Sequence, residues 1–467
     1  MSTPTGLSIA PDADPFDLDP EWVRLDDLSA PRRLTGWRVD RGRSTELDQT
    51  ETGTASWDII DRDGDFDPTV PGGLAGGGGV DPMVQAIACL HNPVTDTDST
   101  IFKGYIDELA VEMDVMARRS DVNLSLVDGF GALAELEMHP TDPPRFGTYP
   151  PLDSIDQIFF PATDNDPPYN GMHGGIDMME VNSRLHRALD EAGWPREWRQ
   201  IASGNVQLQP AVYERFDQLL AVCADACEAE FPGGVANAYM SKRNWFCFHG
   251  RYIRFNPEAY TAADDASRAP GFPICAWKAG GKTAADADPD VALISGLSFR
   301  RSSTDIKNAI TCLPQAPNVT ELEIQAALVK DDASIGKYGW RAESWQDLLV
   351  LRGVTSGKTA VQECKDYARF YVQNYKQPRT RVTQLVFRPR DPRSFSGPAT
   401  WAIMGGVDIG DYIDLDTEHW GGAGGFNERY FVEGIHYDAD ASGRPDLPNV
   451  TMTLDVSPES FWAYDPF

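Results

Sequence analysis

Basic residues are scarce: 41 Lys and Arg stand against 71 Asp and Glu, a formal charge of −30 over 467 residues. Binding to nucleic acid or anionic lipid rests on clustered Lys and Arg that displace counterions from phosphates, and no basic stripe occurs. The deficit argues against specific DNA binding, while an acidic surface suits guiding DNA without adhering to it. Cysteines are few, at 89, 223, 227, 247, 275, 312 and 364, with no CxxC pair. Cys223 and Cys227 fall in an apolar pattern with Val212, Phe216, Leu219 and Leu220, which predicts one helix face carrying two idle, reduced core thiols. No stretch nears the ~18 apolar residues of a membrane helix. Met1 to Pro20 lacks the basic-then-apolar layout of a signal peptide, so the expectation is a soluble, unexported chain.

Catalytic motifs are lacking as well. Two Gly-Lys-Thr triplets invite a phosphate-loop reading. That loop needs Gly five residues before the second Gly, and Ala276 and Arg352 stand there. Thr355-Ser-Gly-Lys-Thr359 reads equally well as a capped helix start. Asp58, Asp61, Asp63, Asp65 and Asp67 could surround a hard cation, yet Gly64 is misplaced for a Ca²⁺ loop and no Glu closes one. An acid-rich turn ending in Asp67-Pro68 is the simpler reading. The histidines at 91, 139, 173, 186, 249, 419 and 436 are isolated, and neither HExxH nor G-x-S-x-G occurs. A cysteine nucleophile with a distant His, or a glycosidase carboxylate pair, meets only in space and stays open. No catalytic, cofactor-binding or metal-ligating residue is assigned, and no cofactor is implied. The twelve tryptophans fit buried or interface anchors better than a sugar-binding surface.

Gly and Pro are plentiful instead, 41 and 34, which means many turns and therefore many strands. With 41% hydrophobic residues the chain is globular, and its length suggests about three domains. Residues 1–35 form an acidic arm, with seven acids and only Arg24 in the first 30. Alternation at Ala55–Ile59, Val84–Ala88 and Val122–Leu126, with the Gly-interrupted Ile101–Ile106, predicts a first β-barrel over 36–138. Gly76 to Gly79 reads as a hairpin loop. Residues 139–290 read as an α+β domain with long loops: a connection over His139–Pro168, a helix over Val181–Ala192 stopped by Gly193 and Pro195, the cysteine helix, and strands at Asn244–Phe248 and Tyr252–Phe255. An Ala/Asp-rich loop covers 260–290. Residues 291–378 read as a second α+β segment, with strands at Leu293–Phe299 and Asn308–Cys312 and a helix over Lys358–Tyr375. Val361, Cys364, Ala368, Tyr371, Val372 and Tyr375 share one face of that helix. Residues 379–467 read as a second β-barrel, ending in the alternating Val450–Val456. The fold class is α+β, multidomain, with two β-barrel domains at the two ends and α+β domains between them.

Five segments in order resemble the minor tail proteins, the tail-tip or baseplate hub group, of long-tailed (siphovirus-type) bacteriophages. They are Gly42–Trp57 leading into Asp61-Arg-Asp-Gly-Asp-Phe-Asp-Pro68, with Asp61 where Asn is common; Ile101–Ile106; Arg184–Pro195 with Ala202–Gly204 and Tyr252–Phe255; Asn308–Cys312 with Asp332–Gly339 and Tyr375–Val382; and Val407–Ile413 with Tyr430–Ile435 and the final strand. The resemblance implies a virion structural protein, not an enzyme, at the distal end of the tail. It implies a homotrimeric ring whose two barrels per chain join the sixfold tail tube or distal tail protein to threefold tip parts around the DNA exit channel. The implied neighbours are the distal tail protein or tube above and the tape measure protein's C-terminus and other minor tail proteins below, with no specific nucleic-acid binding and no membrane insertion. Rival readings are a tail-associated cell-wall hydrolase, a hexameric distal tail protein and a sugar-binding receptor module.

Overall fold

The computed structural model describes residues 5–11, 13–25, 33–71, 73–75, 79–114, 116, 119–136, 157–160, 180–209, 211–214, 218–234, 236–249, 275–315, 327–354, 356–389, 397–417, 426–440 and 449–461. The N-terminal strands are β1 (Thr5–Ala10), β2 (Val23–Arg24), β3 (Arg33–Gly42), β4 (Glu51–Asp61), β5 (Gln85–Asn92), β6 (Thr97–Asp114) and β7 (Arg119–Val127), closed by helix α1 (Gly129–Glu135). Their alternation is the cause of their placement: Ala55, Trp57 and Ile59 on β4 and Val122, Leu124 and Leu126 on β7 are buried, while Asp58, Asp121 and Asn123 face solvent. Thr5–Ala10, inside the acidic arm of the sequence reading, forms a strand on β5, with Leu7 and Ile9 buried.

The middle of the chain holds β8 (Gln157–Phe160), α2 (Val181–Glu191), β9 (Arg199–Ile201), β10 (Val206–Leu208), β11 (Ala211–Glu214), α3 (Leu219–Glu230), β12 (Asn237–Met240) and β13 (Phe246–His249). Ala211–Glu214 was expected inside the cysteine helix. It pairs instead with β8, and the helix begins only at Leu219, because β-ladder pairing outweighs the apolar spacing. Cys223 and Cys227 are buried there, their thiols pushed up by desolvation, Cys223 to about 12. Tyr252–Phe255, 76–78 and nearly all of His139–Pro168 lie outside the described residues.

Of the Ala/Asp-rich stretch read as a loop, residues 260–274 lie outside the described residues, and the remainder carries β14 (Ala276–Gly280) and α4 (Lys282–Ala287); β15 (Ala292–Leu293) and β16 (Gly296–Arg300) follow. β14 pairs parallel with a strand over 130 residues later, a partner that local pattern cannot reveal. Next come β17 (Ala309–Pro314), β18 (Leu328–Lys330), α5 (Asp332–Tyr338), β19 (Ala342–Leu348), β20 (Val350–Gly353) and α6 (Ala360–Tyr375). Cys364, Tyr367, Ala368, Phe370, Tyr371 and Tyr375 of α6 are buried, but Val361 is 46% exposed. The C-terminal strands are β21 (Arg381–Phe387), β22 (Tyr412–Thr417), β23 (Phe426–Asp440) and β24 (Asn449–Pro458), with α7 (Gly397–Gly406) between the first two.

The two β-rich ends are not separate sheets. One 14-stranded sheet runs β15-β14-β22-β23-β3-β4-β7-β6-β5-β1-β2, with β24, β21 and β16 branching from β23. β14, β15 and β16 therefore belong with the C-terminal strands, although the sequence boundaries put β14 in the first α+β domain and β15 and β16 in the second segment. One hydrophobic core lies under this sheet and a second joins α1, α2, α3 and α6 in the middle region.

The two halves of the sheet repeat one topology. β3-β4-β7-β6-β5 has the order and antiparallel pairing of β16-β21-β24-β23-β22. Both copies carry a bulge at the same place, Ile106/Glu108 on β6 and Val432/Gly434 on β23. Ile106 bonds reciprocally with Met83 and Val84 (2.9 Å each) as Val432 bonds with Gly410 and Asp411 (2.9 and 2.8 Å). The equivalent Met83 and Gly410 both have positive φ, 70° and 87°. Gly104 is needed in β6 because a Cβ would lie 2.1 Å from the Val127 carbonyl oxygen.

Candidate functional site

The halves meet where β3 pairs antiparallel with the end of β23, from Gly36↔Asp440 to Gly42↔Gly434. Alternation sends Trp37 and Val39 inward against Tyr437 and Ala439, with the Trp37 and Tyr437 rings 6.0 Å apart. Outward, His436 bridges three strands: Nδ1 lies 2.9 Å from Asp40 Oδ1 and Nε2 lies 2.8 Å from Asp455 Oδ2. Hydrogen bonds to Asp40 and then Asp455 push the imidazole up to about 9, so it is a cation at neutral pH.

At Gly42 the chain turns with φ +91°, and a Cβ there would sit 2.3 Å from the Glu433 carbonyl oxygen. The turn puts Arg43 Nε and Nη2 at 2.8 and 2.7 Å from Glu433 Oε2, while Ser457 Oγ donates to Oε1 at 2.5 Å. Arg43 Nη1 also donates to the Gly234 carbonyl at 2.5 Å, tying in the middle region. Close by, buried Glu46 accepts from Arg381 Nη1 and from the Tyr375 hydroxyl (3.1 Å). Burial raises the Glu46 carboxyl despite Arg381 beside it.

A wedge enters from the β12–β13 hairpin. Lys242 at its tip donates through Nζ to the carbonyls of Gly405 (3.0 Å) and Gly406, where α7 leaves its last acceptors unsatisfied. Its backbone N–H donates to Asp408 Oδ2 at 3.0 Å, and the same carboxylate takes Arg41 Nη2 at 2.7 Å. Asp411 accepts from Trp277 Nε1 and the Cys275 amide, both 2.9 Å, and burial raises its carboxyl to about 7. Asp128 caps α1 through Phe130 N–H (2.9 Å) and is likewise raised to about 7 by burial, with Arg41 opposing. Among the described residues these groups bond one another, and the arrangement ties the two halves of the sheet and the middle region together.

The residues flagged in the sequence have structural roles. Asp61 accepts from the backbone N–H groups of Asp63, Gly64 and Phe66 at 3.2, 3.3 and 3.0 Å, so its carboxylate organises the turn. Thr359 caps α6 with Gln362 returning to its N–H at 3.0 Å, and Lys358 Nζ pairs with Asp366 at 2.8 Å. Gly281 opens the six-residue α4. His249 bonds the Tyr239 hydroxyl at 2.8 Å and His91 bonds Asp98 at 2.9 Å; His139, His173 and His419 are outside the described residues. Trp37, Trp57, Trp194, Trp198 and Trp401 are buried anchors, and Trp340 is 56% exposed. Trp420 and Trp462 are outside the described residues. Among the described residues no cluster of three or more His, Cys, Asp or Glu is placed to hold a metal.

What the sequence reading missed are two strand edges. Residues Glu108–Asp114 of β6 pair with β7 on one side, and β5 occupies the other side only up to Tyr105. β16 pairs with β21 alone among the described residues. Both edges carry exposed apolar side chains, Met113 at 46% and Phe299 at 47%. An open groove of about 370 Å³ beside the first edge is lined by Asp58, Ile60, Ala110, Glu112, Asp121 and Asn123.

No protein-family model matches the sequence, and no curated protein matches it. Solved structures do. The tail protein from Neisseria meningitidis MC58 superposes with a TM-score of 0.51 at 11% identity, over 98% of both chains. The 43 kDa tail protein of prophage MuSo2 from Shewanella oneidensis gives 0.50 at 11% identity, over 98% of this chain and 99% of that one. At such identity the likeness is one of fold, and it spans nearly the whole length: the chain has a fold found in phage tail proteins.

Proposed function

We propose that the chain is a structural, non-catalytic component of a phage tail tip: a homotrimeric baseplate hub ring at the distal end of the tail. The observation that carries this reading is the repeated five-strand unit, held edge to edge by β3 and β23. Three chains, each with two like units, present six similar segments to a sixfold tube or distal tail protein while keeping threefold symmetry for the tip proteins and tape measure protein on the other side. Each unit is one barrel of that ring. The fold shared with the Neisseria and MuSo2 tail proteins supports a tail role. The two ion pairs at the centre of the joint, Arg43–Glu433 and Arg381–Glu46, are buried and satisfy one another, which favours a structural joint over chemistry.

The outward face of the continuous sheet, with Glu108, Glu112, Asp121, Asp58 and Asp438 exposed, faces the central channel in this reading. Its sign keeps DNA phosphates from adhering as they pass. Native mass measurement of the purified protein tests the reading: the mass of three chains is expected. Six chains point to a distal tail ring, and clearing of host peptidoglycan points to a hydrolase.

A further inference from the structure

The internal repeat says what covers the two open edges. Aligned on their bulges and ladders, Glu108–Asp114 of β6 corresponds to Gly434–Asp440 of β23, and Gly296–Ser298 of β16 corresponds to Gly36–Arg38 of β3. In the C-terminal half the first of these edges is occupied: β3 sits on Gly434–Asp440. The equivalent edge on β6 has no strand beside it among the described residues, and neither does the outer edge of β16. Resting on the ring reading above, we propose that β16 of one copy adds antiparallel to Glu108–Asp114 of the next copy, repeating between chains the junction that β3 and β23 make within one.

The side chains agree. Inside the chain the junction buries Tyr437 (2%) and Ala439 (4%) under Trp37 (4%) and Val39 (0%). Their counterparts at these edges are Val111 and Met113 on β6 and Leu297 on β16, with Phe299 next along the strand just past a register shift in the β16–β21 ladder. Met113 and Phe299 are 46% and 47% exposed, and Val111 and Leu297 are half-buried. Apolar residues alternate on each edge with the correct phase, so pairing in the same register continues the core across the boundary. Charge agrees too: Arg300, 3.5 Å from Asp305, ends β16 and Arg301 follows it, while Glu108, Glu112 and Asp114 line β6. The intramolecular pair Arg38↔Asp438 sets the register, placing Ser298 opposite Glu112 and Leu297 opposite Met113. A long, exposed, apolar edge is otherwise an aggregation hazard, and strand addition by a second copy removes it at every junction of a closed ring.

Engineered cysteines in the full chain test the register. Directly opposed residues bring Cα atoms within disulfide reach, and two adjacent pairs guarantee that one is a non-hydrogen-bonded pair. Oxidation of Glu112→Cys/Ser298→Cys and of Met113→Cys/Leu297→Cys should yield covalent trimers in at least one of the two, with none from the four single variants. Met113→Asp/Phe299→Asp should give the mass of one chain with an unchanged far-UV spectrum. A wild-type trimer that neither double-cysteine variant links, and that survives the Asp changes, overturns the strand pairing while leaving the ring intact. Wild-type protein that stays at the mass of one chain at tens of micromolar overturns the ring and the pairing together.

Discussion

Arg43 and Glu433 stand 390 positions apart in sequence and meet side by side, Nη2 to Oε2 at 2.7 Å, with side chains 1% and 0% exposed. Their pairing locks the turn after β3 to β23 at the boundary of the repeated units. Removing one partner strands the other charge in a dry site, which typically costs about 3–5 kcal/mol, far more than an exposed pair is worth. Glu433→Gln should therefore lower the unfolding free energy by about that amount in denaturant titrations. Asp438→Asn, which breaks the exposed Arg38 pair on the same strand, should change it by less than about 1 kcal/mol. Equal effects from the two would refute the ranking.

Gly42 next to this pair needs both its φ of +91° and its missing Cβ. Gly42→Ala adds left-handed strain of about 1–3 kcal/mol and a clash with the Glu433 carbonyl, which must push the strands apart. Hydrogen exchange should show the loss of protection concentrated in Gly36–Gly42 and Gly434–Asp440, with β1 and β5 unaffected.

His436 makes the joint pH-dependent. Its folded pKa is about 9, above the unfolded value, so its contribution is fully present below about 6.5 and disappears as pH rises through 9. The melting temperature should fall between pH 6.5 and 9 more steeply in wild type than in His436→Gln. Parallel curves would mean that Asp40 and Asp455 do not hold the imidazolium.

The Asp61 turn should be indifferent to Ca²⁺. Its carboxylate already accepts from three backbone N–H groups, so Asp61→Ala should cost on the order of 1–3 kcal/mol with or without a chelator. A rise of several degrees in melting temperature on adding Ca²⁺ to wild type would reveal linkage to an ion site.

The β4, β7 and α2 segments were legible in sequence because each is decided by local periodicity: Trp57 and Ile59 inward, Asp58 outward. β1, β11 and β14 were not. Thr5–Ala10 lies among acids and prolines, Ala211–Glu214 fits a helical pattern, and Ala276–Gly280 sits inside an Ala/Asp-rich stretch that reads as a loop. Each is a strand only because a distant strand accepts its ladder. The joint was invisible for the same reason. Arg43 and Glu433, or Arg381 and Glu46, are ordinary residues of a heavily charged chain until the β3–β23 pairing brings them together.

Lys242 offers the sharpest check on how the middle region is fixed to the sheet. Its Nζ reaches the C-terminal carbonyls of α7, and its backbone N–H holds Asp408 in line for Arg41. A methionine there keeps the stem's packing and the backbone N–H to Asp408 but removes the charged donor, leaving the helix-end acceptors without it. Lys242→Met should cost about 1–3 kcal/mol, the desolvation penalty of buried acceptors left unmade. Because the lost bonds end at Gly405 and Gly406, hydrogen exchange should rise there and at the β12–β13 turn, while the Arg43–Glu433 end keeps its protection. Uniform loss of protection across the whole sheet would mean instead that hairpin and joint unfold as one unit. The Lys242 wedge would then have no independent role in seating the middle region.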